Sequence, residues 1–491
     1  MRIPQYNLFS SDWITFTVVL ALIFFLIGLS ELLRKQGWFT AESTRKIVHV
    51  GVGIAVSLSP LYFRKALPPL VLAGLFIVLN ALALKQNRFG GMHGTTRTSY
   101  GTVFFPLSYF ILVLGAWHRP ATLMLAMLMM TFADTAGSWV GESLRRVHSY
   151  RLWRDKKSLE GSLAVFLTAA VVSFLFLNLT RTESLPLRHT GEASLLVALV
   201  VTLAEMVSAR GSDNLSVPLL AALAFDQFYV LRSTGLWFPW MVWIFLSAAL
   251  FFLAVKLHSL QGNGGVTGFL VGIFLFGAGG LPWILPMVLF FILSSALSQF
   301  GSRHDPVGVK GSRRDHLQVL ANSGAALGLA LLHFYHPSWS WTYPVYLGAL
   351  AAATADTWAT EFGLLGGGIP RHIVTGKEIR KGMSGGVTWT GFGGALAGAG
   401  LIGGVGAVYG LDWRIVTVII LAGFLASLVD SLLGGTVQAL YRSEQTGLLT
   451  EKAALPGESV VLVRGWPWMN NDMVNVMNTL CGALITSYLF W

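Results

Sequence analysis

Charged residues are scarce in this sequence. Only 12% of its 491 residues are Asp, Glu, Lys or Arg, whereas 54% are hydrophobic. A soluble domain has about 25% charged residues, so the composition argues against an ordinary soluble protein. Apolar runs of about 20 residues recur from one end to the other, and such runs are typical of a polytopic α-helical membrane protein.

Cysteine is almost absent. The one cysteine, Cys481, lies inside an apolar run, which excludes an intramolecular disulfide and a zinc site built on cysteines. We interpret it as a small buried side chain. The sequence also lacks a set of histidine and cysteine ligands for zinc or copper, and it has no phosphate-binding loop of the form G-x-x-x-x-G-K-[ST]. The segment GGGIPRHIVTGKE fails this pattern after Lys377, which argues against an NTPase of the soluble type.

The apolar stretches predict an all-α polytopic membrane protein with about 16 transmembrane helices. The first stretch, 13–33, is too long for the apolar part of a signal peptide and is followed by Arg34 and Lys35, so we expect an uncleaved span. The predicted spans are centred near residues 23, 55, 76, 109, 131, 169, 200, 223, 246, 273, 291, 326, 352, 398, 426 and 481.

The basic residues set an orientation for these spans. With the N-terminus outside and the spans alternating, the inside loops hold 26 of the 34 Lys and Arg residues. Because positively charged loops stay on the cytoplasmic side, we predict this orientation in a bacterial inner membrane or a plastid-type membrane. The same rule, together with anionic lipid, accounts for most of the net charge of +11, so we expect membrane lipid and no nucleic acid as partners. The oligomeric state is not specified.

Two similar acidic segments lie far apart in the sequence. FADTAGSWVGE contains Asp134, and TADTWATEFG contains Asp356, 222 residues later. KSLEGS and KGMSGG follow them at an offset of 224. Ordered matches at a nearly constant offset predict two tandem, related eight-helix domains, 1–232 and 233–491. Both domains should have the same orientation, because eight is an even number.

The polar residues of the first half lie near the predicted cytoplasmic ends of the spans. An ionisable residue within a span suggests function, because burying it unpaired is costly; the alternative is an acid that only pairs with a basic neighbour. Carboxylates that hold Mg²⁺ and cations that offset phosphate charge are what a magnesium–nucleotide site needs. The predicted metal ligands are Asp134, Glu142, Glu205 and Asp213. The predicted nucleotide- or phosphate-binding residues are Arg45, Lys46, His49, Arg97, Ser99, Tyr100, Ser158, Gly161, Ser162 and Asn214, although a lone histidine such as His49 is often only a packing residue.

The second half repeats this plan with its own acids. Amides replace some of the charged groups, which predicts two sites of related but different chemistry. The predicted metal ligands are Asp356, Glu361, Asp430 and Asp472. The predicted nucleotide- or phosphate-binding residues are Arg314, Gln318, Asn322, Ser384, Gly385, Asn475 and Asn478. Lys381 takes the place that Lys157 has in the first half, because each begins the matching motif.

Five motifs of the first half together resemble the phytol kinase/dolichol kinase family over most of 40–232: RKIVHVGVG, RTSYGTVFFPLSY, ADTAGSWVGE, KKSLEGS and EMVSARGSDNLSVPL. These membrane enzymes use CTP to phosphorylate a long isoprenoid alcohol. Segments such as RRDHLQVLANSG, ATADTWATEFG and NNDMVNVMNTLCGA resemble the integral-membrane family that contains phytyl-phosphate kinase, over about 262–486. The resemblance implies that the first half makes an isoprenyl monophosphate and the second makes the diphosphate. It also implies Mg²⁺ and CTP, or another nucleoside triphosphate, as cofactors.

The predicted catalytic residues are Asp134, Lys157 and Glu160 in the first half and Asp356 and Lys381 in the second. KSLEGS has Glu160 where KGMSGG has Ser384. An alcohol is a poor nucleophile that benefits from a general base, whereas a phosphate acceptor is already anionic. Glu160 is therefore a candidate base for the first step. A metal ligand or an arginine partner is an equal alternative, and Asp134 could serve as the base instead.

Two other functions remain open at the level of sequence. A lipid-phosphate cytidylyltransferase would release pyrophosphate, whereas a kinase releases a nucleoside diphosphate. A duplicated secondary transporter would also have internal repeats and acids within the membrane. However, the predicted repeats are parallel rather than inverted, and the polar residues lie at the predicted cytoplasmic ends rather than at the midplane.

Overall fold

Helices form almost all of the regular structure. The computed structural model describes residues 3–6, 9–86, 99–180, 186–301, 313–455 and 457–490. The chain packs as two units, Met1–Thr234 and Gly235–Trp491. This division concerns packing alone, and the activities assigned to the two halves stay predictions.

The first unit consists of helices joined by short loops and one small hairpin. One span runs from Pro120 to Ser143 and is interrupted by a π-helical segment, Met129–Asp134. Its α-helices are α1 (Asp12–Lys35), α2 (Ala41–Ser57), α3 (Ser59–Tyr62), α4 (Leu67–Gln86), α5 (Gly101–Ala116), α6 (Pro120–Leu128), α7 (Thr135–Ser143), α8 (Leu159–Thr180), α9 (Leu187–Met206) and α10 (Asp213–Ser233). The hairpin pairs β1 (Ser149–Tyr150) antiparallel to β2 (Lys157–Ser158).

The second unit has eight α-helices and three short antiparallel pairings among its described residues. The helices are α11 (Trp237–Lys256), α12 (Gly262–Gly279), α13 (Leu281–Gly301), α14 (His316–Tyr335), α15 (Thr342–Leu365), α16 (Trp389–Val408), α17 (Trp413–Thr436) and α18 (Asn471–Phe490). The strands β3 (Arg371–His372) and β4 (Gly386–Val387) form a hairpin. The strands β5 (Leu440–Ser443), β6 (Leu449–Thr450) and β7 (Val460–Arg464) form a sheet in the order β6–β5–β7.

The core of the second unit is built around α15. Its residues from Thr342 to Ala355 are almost all buried, and most of them are small. Small residues let neighbouring helices approach closely, as is usual where helices pack within a membrane. Asp356 comes directly after this buried segment, so the core fixes its position.

The prediction of an all-α polytopic membrane protein is confirmed. All sixteen predicted span centres lie within helices, and thirteen of the helices in the described part of the chain are long and apolar enough to cross a membrane. The other three predicted spans correspond to α2, α5 and α15. The helices α2 and α5 have only 17 and 16 residues, and α15 is rich in alanine and threonine rather than in large aliphatic residues.

Candidate functional site

Four predicted residues of the first unit form a cluster, here called the first-unit cluster: Asp134, Lys157, Glu205 and Asp213. Lys157, in β2, donates to Glu205 at the end of α9, and its Nζ lies 3.7 Å from a carboxylate oxygen of Asp213 at the start of α10. The side chains of Lys157, Glu205 and Asp213 are 17%, 11% and 17% exposed. The charges of the other three residues and of Arg45 act on Asp134. Two helix ends, a strand and the π-helical segment therefore meet at this point.

Lys157 is the cation at the centre of the cluster. Its burial lowers the pKa of the ammonium group, but the negative charges of Glu205 and Asp213 outweigh that effect and raise the pKa above its ordinary value. Lys157 is therefore protonated at neutral pH. One lysine faces three carboxyl groups, so the cluster can accept a further cation.

The fit of the cluster to Mg²⁺ depends on Glu205. Its Oε2 is buried and has no hydrogen-bond partner. In the described part of the chain, no three Asp, Glu, His or Cys side chains are arranged to hold a metal ion by themselves. Mg²⁺ usually takes one or two carboxylates and completes its shell with substrate phosphates and water. The unsatisfied oxygen of Glu205, with Asp213 nearby, fits that mode of binding.

The π-helical segment places Asp134 at a local irregularity of its span. A π turn leaves backbone carbonyls poorly paired, and such turns are frequent at functional sites. His49 Nε2 lies 3.3 Å from the carbonyl oxygen of Met130 in this segment, and its ring packs edge-on against Phe105. The structure thus gives His49 a backbone partner and supports its packing interpretation.

Lys46 and Glu142 bind each other. Lys46 donates to Glu142, and Ser138 Oγ lies 3.3 Å from the other carboxylate oxygen. The Glu142 side chain is 46% exposed, so this pair is more open to solvent than the first-unit cluster. The predicted phosphate-binding and metal-binding roles of these two residues would require the pair to open.

The start of α5 packs against the turn that precedes α10. The Tyr100 N–H donates to the carbonyl of Arg210 (2.9 Å), and a Cβ on Gly211 would lie 2.4 Å from the backbone nitrogen of Gly101. Gly211 has a φ of +85°, which favours glycine there. Ser99 and Tyr100 are therefore held beside Asn214, near Asp213. Arg97, also predicted for this region, lies outside the described residues.

Glu160 is bound by a partner that the sequence did not indicate. The His148 N–H lies 3.0 Å from both carboxylate oxygens, and His148 Nδ1 lies 2.7 Å from Oε1. The observed partner is thus a histidine rather than an arginine. Glu160 lies at the first turn of α8 and ties down the loop before β1, outside the first-unit cluster.

The serines of KSLEGS hold the hairpin onto α8. Ser158 Oγ accepts a hydrogen bond from the Gly161 N–H (3.1 Å), and Ser162 shares one of 2.6 Å with the Tyr150 hydroxyl. A Cβ on Gly161 would lie 2.9 Å from the carbonyl oxygen of Gly137. The three predicted phosphate-binding residues Ser158, Gly161 and Ser162 therefore position Lys157 and bring α8 close to the helix that follows Asp134.

The second unit repeats this contact at a different place in the sequence. Gly391 lies against the carbonyl of Ala359, with a Cβ distance of 3.0 Å, and its N–H donates to Thr388 Oγ1 (2.9 Å). Ala359 follows Gly137 by 222 residues, the offset between Asp134 and Asp356. The counterpart of Gly161 is therefore Gly391, and the counterpart of Ser158 is Thr388.

This equivalence corrects the predicted pairing of KSLEGS with KGMSGG. Counting from Gly391, the counterpart of Glu160 is Thr390 rather than Ser384, and that of Lys157 is Val387 rather than Lys381. The offset grows from 222 before the hairpin to 230 after it, because the β3–β4 hairpin is longer than the β1–β2 hairpin. A comparison of short motifs could not detect an insertion between two similar Gly- and Ser-rich segments.

The hairpin of the second unit nevertheless contributes to a polar cleft, here called the second-unit cleft. Lys381 Nζ donates to the carbonyl of Gly366 (2.7 Å) at the edge of α15. Five predicted residues line the cleft: Asp356, Lys381, Ser384, Gly385 and Asp430. The structure therefore brings these five predicted residues of the second site together. However, Lys381 lies at a different point of its hairpin from Lys157 in the first unit.

Glu451 belongs near this cleft and was missed by sequence reasoning. The Ser384 hydroxyl donates to Glu451 Oε1 (2.5 Å), and the Ser384 N–H lies 3.3 Å from the same oxygen. Glu451 follows β6 in the small sheet. Arg464, at the end of β7, donates to the carbonyl of Gly434 (2.7 Å), and burial lowers its pKa while the charge of Glu451 partly restores it. The polar segment between the apolar runs of α17 and α18 was the signal in the sequence that could have indicated Glu451.

The remaining predicted residues of the second unit lie elsewhere. Glu361 accepts a hydrogen bond from Ser298 (2.7 Å), and Asn478 is buried and donates to the carbonyl of Ala352 (3.1 Å). Asp472 and Asn475, on α18, are half-buried, and the charge of Asp315 acts on Asp472. Arg314, Gln318 and Asn322 line a separate, apolar pocket. The predicted second site is thus divided between a polar cleft and an apolar pocket.

The fold and these sites define a polytopic helical membrane protein with a polar cluster in one unit and a polar cleft in the other. A family model described as integral membrane protein DUF92 matches residues 245–483. Protein PGR of Arabidopsis thaliana is 30% identical over 273 residues, which cover 50% of this chain and 93% of that protein. The chain therefore belongs to this family of integral membrane proteins.

Two further relatives cover a similar share of the chain. A phytol kinase of Synechocystis sp. is 32% identical over 203 residues, 40% of this chain and 82% of that protein. An uncharacterized membrane protein of Methanocaldococcus jannaschii is 28% identical over 243 residues, 49% of this chain and 90% of that protein. No solved structure matches the chain.

Proposed function

We propose that the protein is a membrane prenol kinase with two consecutive activities. The first unit would phosphorylate a long-chain isoprenoid alcohol of the phytol or geranylgeraniol type, and the second would phosphorylate the resulting monophosphate. Similarity to a phytol kinase supports the first activity. The observation that carries the proposal is the first-unit cluster, in which buried Lys157 lies between Glu205 and Asp213 beside Asp134.

The first step would transfer the γ-phosphoryl group of CTP, or of another nucleoside triphosphate, to the alcohol. The alcohol oxygen forms a bond to the γ-phosphorus, the bond from that phosphorus to the β-phosphate oxygen breaks, and the hydroxyl proton passes to a carboxylate. The products are the prenyl monophosphate and the nucleoside diphosphate. Such transfers depend mainly on positioning and on stabilising charge.

Within the cluster, we assign the base to Asp134 and charge stabilisation to Lys157. Asp134 lies beside the cation, whereas Glu160 is bound to His148 outside the cluster. Glu205 and Asp213 would hold Mg²⁺, which supplies neutralisation of the phosphate charge when bound. Arg45, within range of Asp134, would contribute in the same way.

The second step would add a phosphoryl group to the prenyl monophosphate, with the nucleotide held in the second-unit cleft. The acceptor is already an anion, so this step needs charge stabilisation more than a base. Lys381, Ser384 and Gly385 line the cleft together with Asp356 and Asp430. The matching contacts Gly161–Gly137 and Gly391–Ala359 support a common origin of the two units, which we interpret as a fusion of two related families.

The test is a pair of variants in the full-length protein. Asp134→Asn should abolish alcohol phosphorylation and spare monophosphate phosphorylation, whereas Asp356→Asn should do the reverse. Asp12→Asn and Asp412→Asn are matched controls, because Asp12 binds the backbone N–H groups of Arg64 and Lys65 and Asp412 caps α17 through the N–H of Arg414. Loss of both steps in either variant would contradict two separate sites. Release of pyrophosphate instead of CDP would identify a cytidylyltransferase, and uptake of substrate without nucleotide hydrolysis would identify a transporter.

A further inference from the structure

An apolar pocket lies within the second unit, between α11, α12, α13 and α14. Its walls are made mainly of large apolar side chains, among them Trp243, Phe251, Met287 and Phe291. All four helices are long and apolar enough to cross a membrane. Ligand pockets in proteins are lined mainly by apolar and aromatic side chains with a few polar groups, so the lining of this pocket suits a ligand with a hydrocarbon chain.

One end of the pocket is polar. Arg314, Gln318 and Asn322 follow one another at intervals of four residues, and all three line the pocket. Residues four apart share a face of a helix, so Gln318 and Asn322 extend the polar surface along α14. Arg314 is the only charged residue among the described residues that line the pocket.

The backbone of Arg314 is held firmly in place. Its N–H donates to the carbonyl of Ser259 (3.1 Å), and its carbonyl accepts from the Gln261 N–H (2.9 Å). A Cβ on Gly264 would lie 2.4 Å from the Arg314 carbonyl oxygen, so the start of α12 packs directly against it. The guanidinium carbon lies 5.9 Å from the centre of the Phe290 ring. The backbone contacts and Phe290 therefore hold a cationic side chain against an apolar pocket.

We propose that this pocket binds the hydrocarbon chain of a prenyl monophosphate and that Arg314 binds its phosphate group. The inference rests on the proposed function of the second unit, because it names the place where that unit holds its acceptor. Arg314, Gln318 and Asn322 then contact the acceptor rather than the nucleotide. A planar guanidinium can bind a phosphate through two parallel hydrogen bonds.

The energetics favour an anionic lipid as the occupant. Lipid tails are as apolar as the walls of the pocket, so a prenyl chain gains little by leaving the bilayer for it. The binding energy must then come from the phosphate–guanidinium contact, which is stronger in a poorly hydrated site than in water. The apolar lining of the pocket would accept the hydrocarbon chain, and Arg314 would favour a ligand with an anionic head group.

The pocket is linked to the second-unit cleft through α15. The charge of Glu361, on that helix, acts on Arg314. Asp356, five residues before Glu361, lines the cleft, and so does Gly363, two residues after it. A phosphate bound at Arg314 would therefore lie beside the helix that carries the cleft's Asp356.

The pocket can be tested by binding without any nucleotide. We would measure the Kd of geranylgeranyl monophosphate for the full-length protein in phosphatidylcholine nanodiscs. Val288→Trp should fill the pocket, since Val288 lines it, whereas Ile292→Trp is the matched control one turn later on α13, where the side chain is 43% exposed. We expect Val288→Trp and Arg314→Gln each to raise Kd by about tenfold or more, and Ile292→Trp to change it by less than about twofold.

A second measurement uses the unaltered protein, so misfolding cannot explain its result. A geranylgeranyl monophosphate with a photoreactive diazirine at the end of the chain should label peptides from α11 to α14. Labelling elsewhere, or equal binding by Val288→Trp and Ile292→Trp, would overturn the inference. Equal affinity for geranylgeraniol would exclude the role of Arg314, and equal affinity for phosphatidic acid would show a general anionic-lipid site. Because no nucleotide is present, these results do not depend on catalysis. If the pocket binds the monophosphate but a separate assay with CTP and the other nucleoside triphosphates forms no diphosphate, the proposed function is refuted and the binding site stands.

Discussion

Lys157, in a two-residue strand, forms an ion pair with Glu205, the penultimate residue of α9. The two residues are 48 positions apart in the sequence. The motif that contains Lys157 does not indicate that Glu205 is its partner. Because both side chains are mostly buried, each depends on the other for charge compensation. This pair is the centre of the first-unit cluster and gives the first prediction.

Lys157→Met should destabilise the protein and abolish the first step. Removing one partner of a buried ion pair leaves an uncompensated charge, which costs about 3–5 kcal/mol. Lys46→Met is the matched comparison, since Lys46 is 18% exposed but its partner Glu142 is 46% exposed. Water can compensate the carboxylate left behind, so the loss should be smaller, closer to the contribution of about 0–1 kcal/mol of an exposed pair. Thermal unfolding of the two purified variants gives the difference. Equal shifts in Tm would show that the Lys157–Glu205 pair is not a buried one.

Gly391→Ala should destabilise the second unit, because a Cβ there would lie 3.0 Å from the carbonyl oxygen of Ala359. Overpacking of this kind costs about 1–3 kcal/mol. Gly393→Ala, two residues along the same helix, has no atom within 4 Å of the added Cβ. It should be neutral or stabilising by up to about 1 kcal/mol, since alanine favours helix. Unfolding measurements that rank the two variants in the opposite order would contradict the close contact of α15 and α16.

Glu160→Gln should leave the rate of alcohol phosphorylation within about threefold of wild type. The carboxylate binds the loop at His148, outside the first-unit cluster, and Asp134 is the assigned base. The measurement is kcat and KM for the alcohol, with the second step assayed on monophosphate in the same preparation. A selective loss of the first step by two or more orders of magnitude would move the base from Asp134 to Glu160.

Glu451→Gln should slow the second step and spare the first, because Glu451 holds Ser384 at the edge of the second-unit cleft. Glutamine can still accept a hydrogen bond from Ser384, but a hydrogen bond to an ionised acceptor is roughly twice as strong as one to a neutral acceptor, so we expect a loss of about tenfold in kcat/KM. Glu444→Gln is the matched control, since Glu444 also accepts from a serine, Ser459, but at an exposed position. If both variants slow the second step equally, the effect belongs to the sheet as a whole and not to the contact with Ser384.

Much of the candidate site was visible in the sequence because acids within apolar runs stand out. Asp134, Glu205 and Asp213 were chosen on that ground, and the structure brings them together around Lys157. The repeat was visible for the same reason, since the acidic segments of the two halves match at 222 residues. The exact counterpart of Lys157 was not visible, because two hairpins of different length contain similar small residues.

The sequence by itself determined that this is a helical membrane protein and predicted two related halves, because hydropathy and motif spacing are local properties that can be read along the chain. The tertiary structure alone decided which polar groups meet. It bound Glu160 to His148, brought Glu451 to Ser384, and separated Arg314 from the cleft of Asp356. Those contacts join residues that are 12 and 67 positions apart, across loops whose course depends on how the helices pack, and no local pattern encodes that packing.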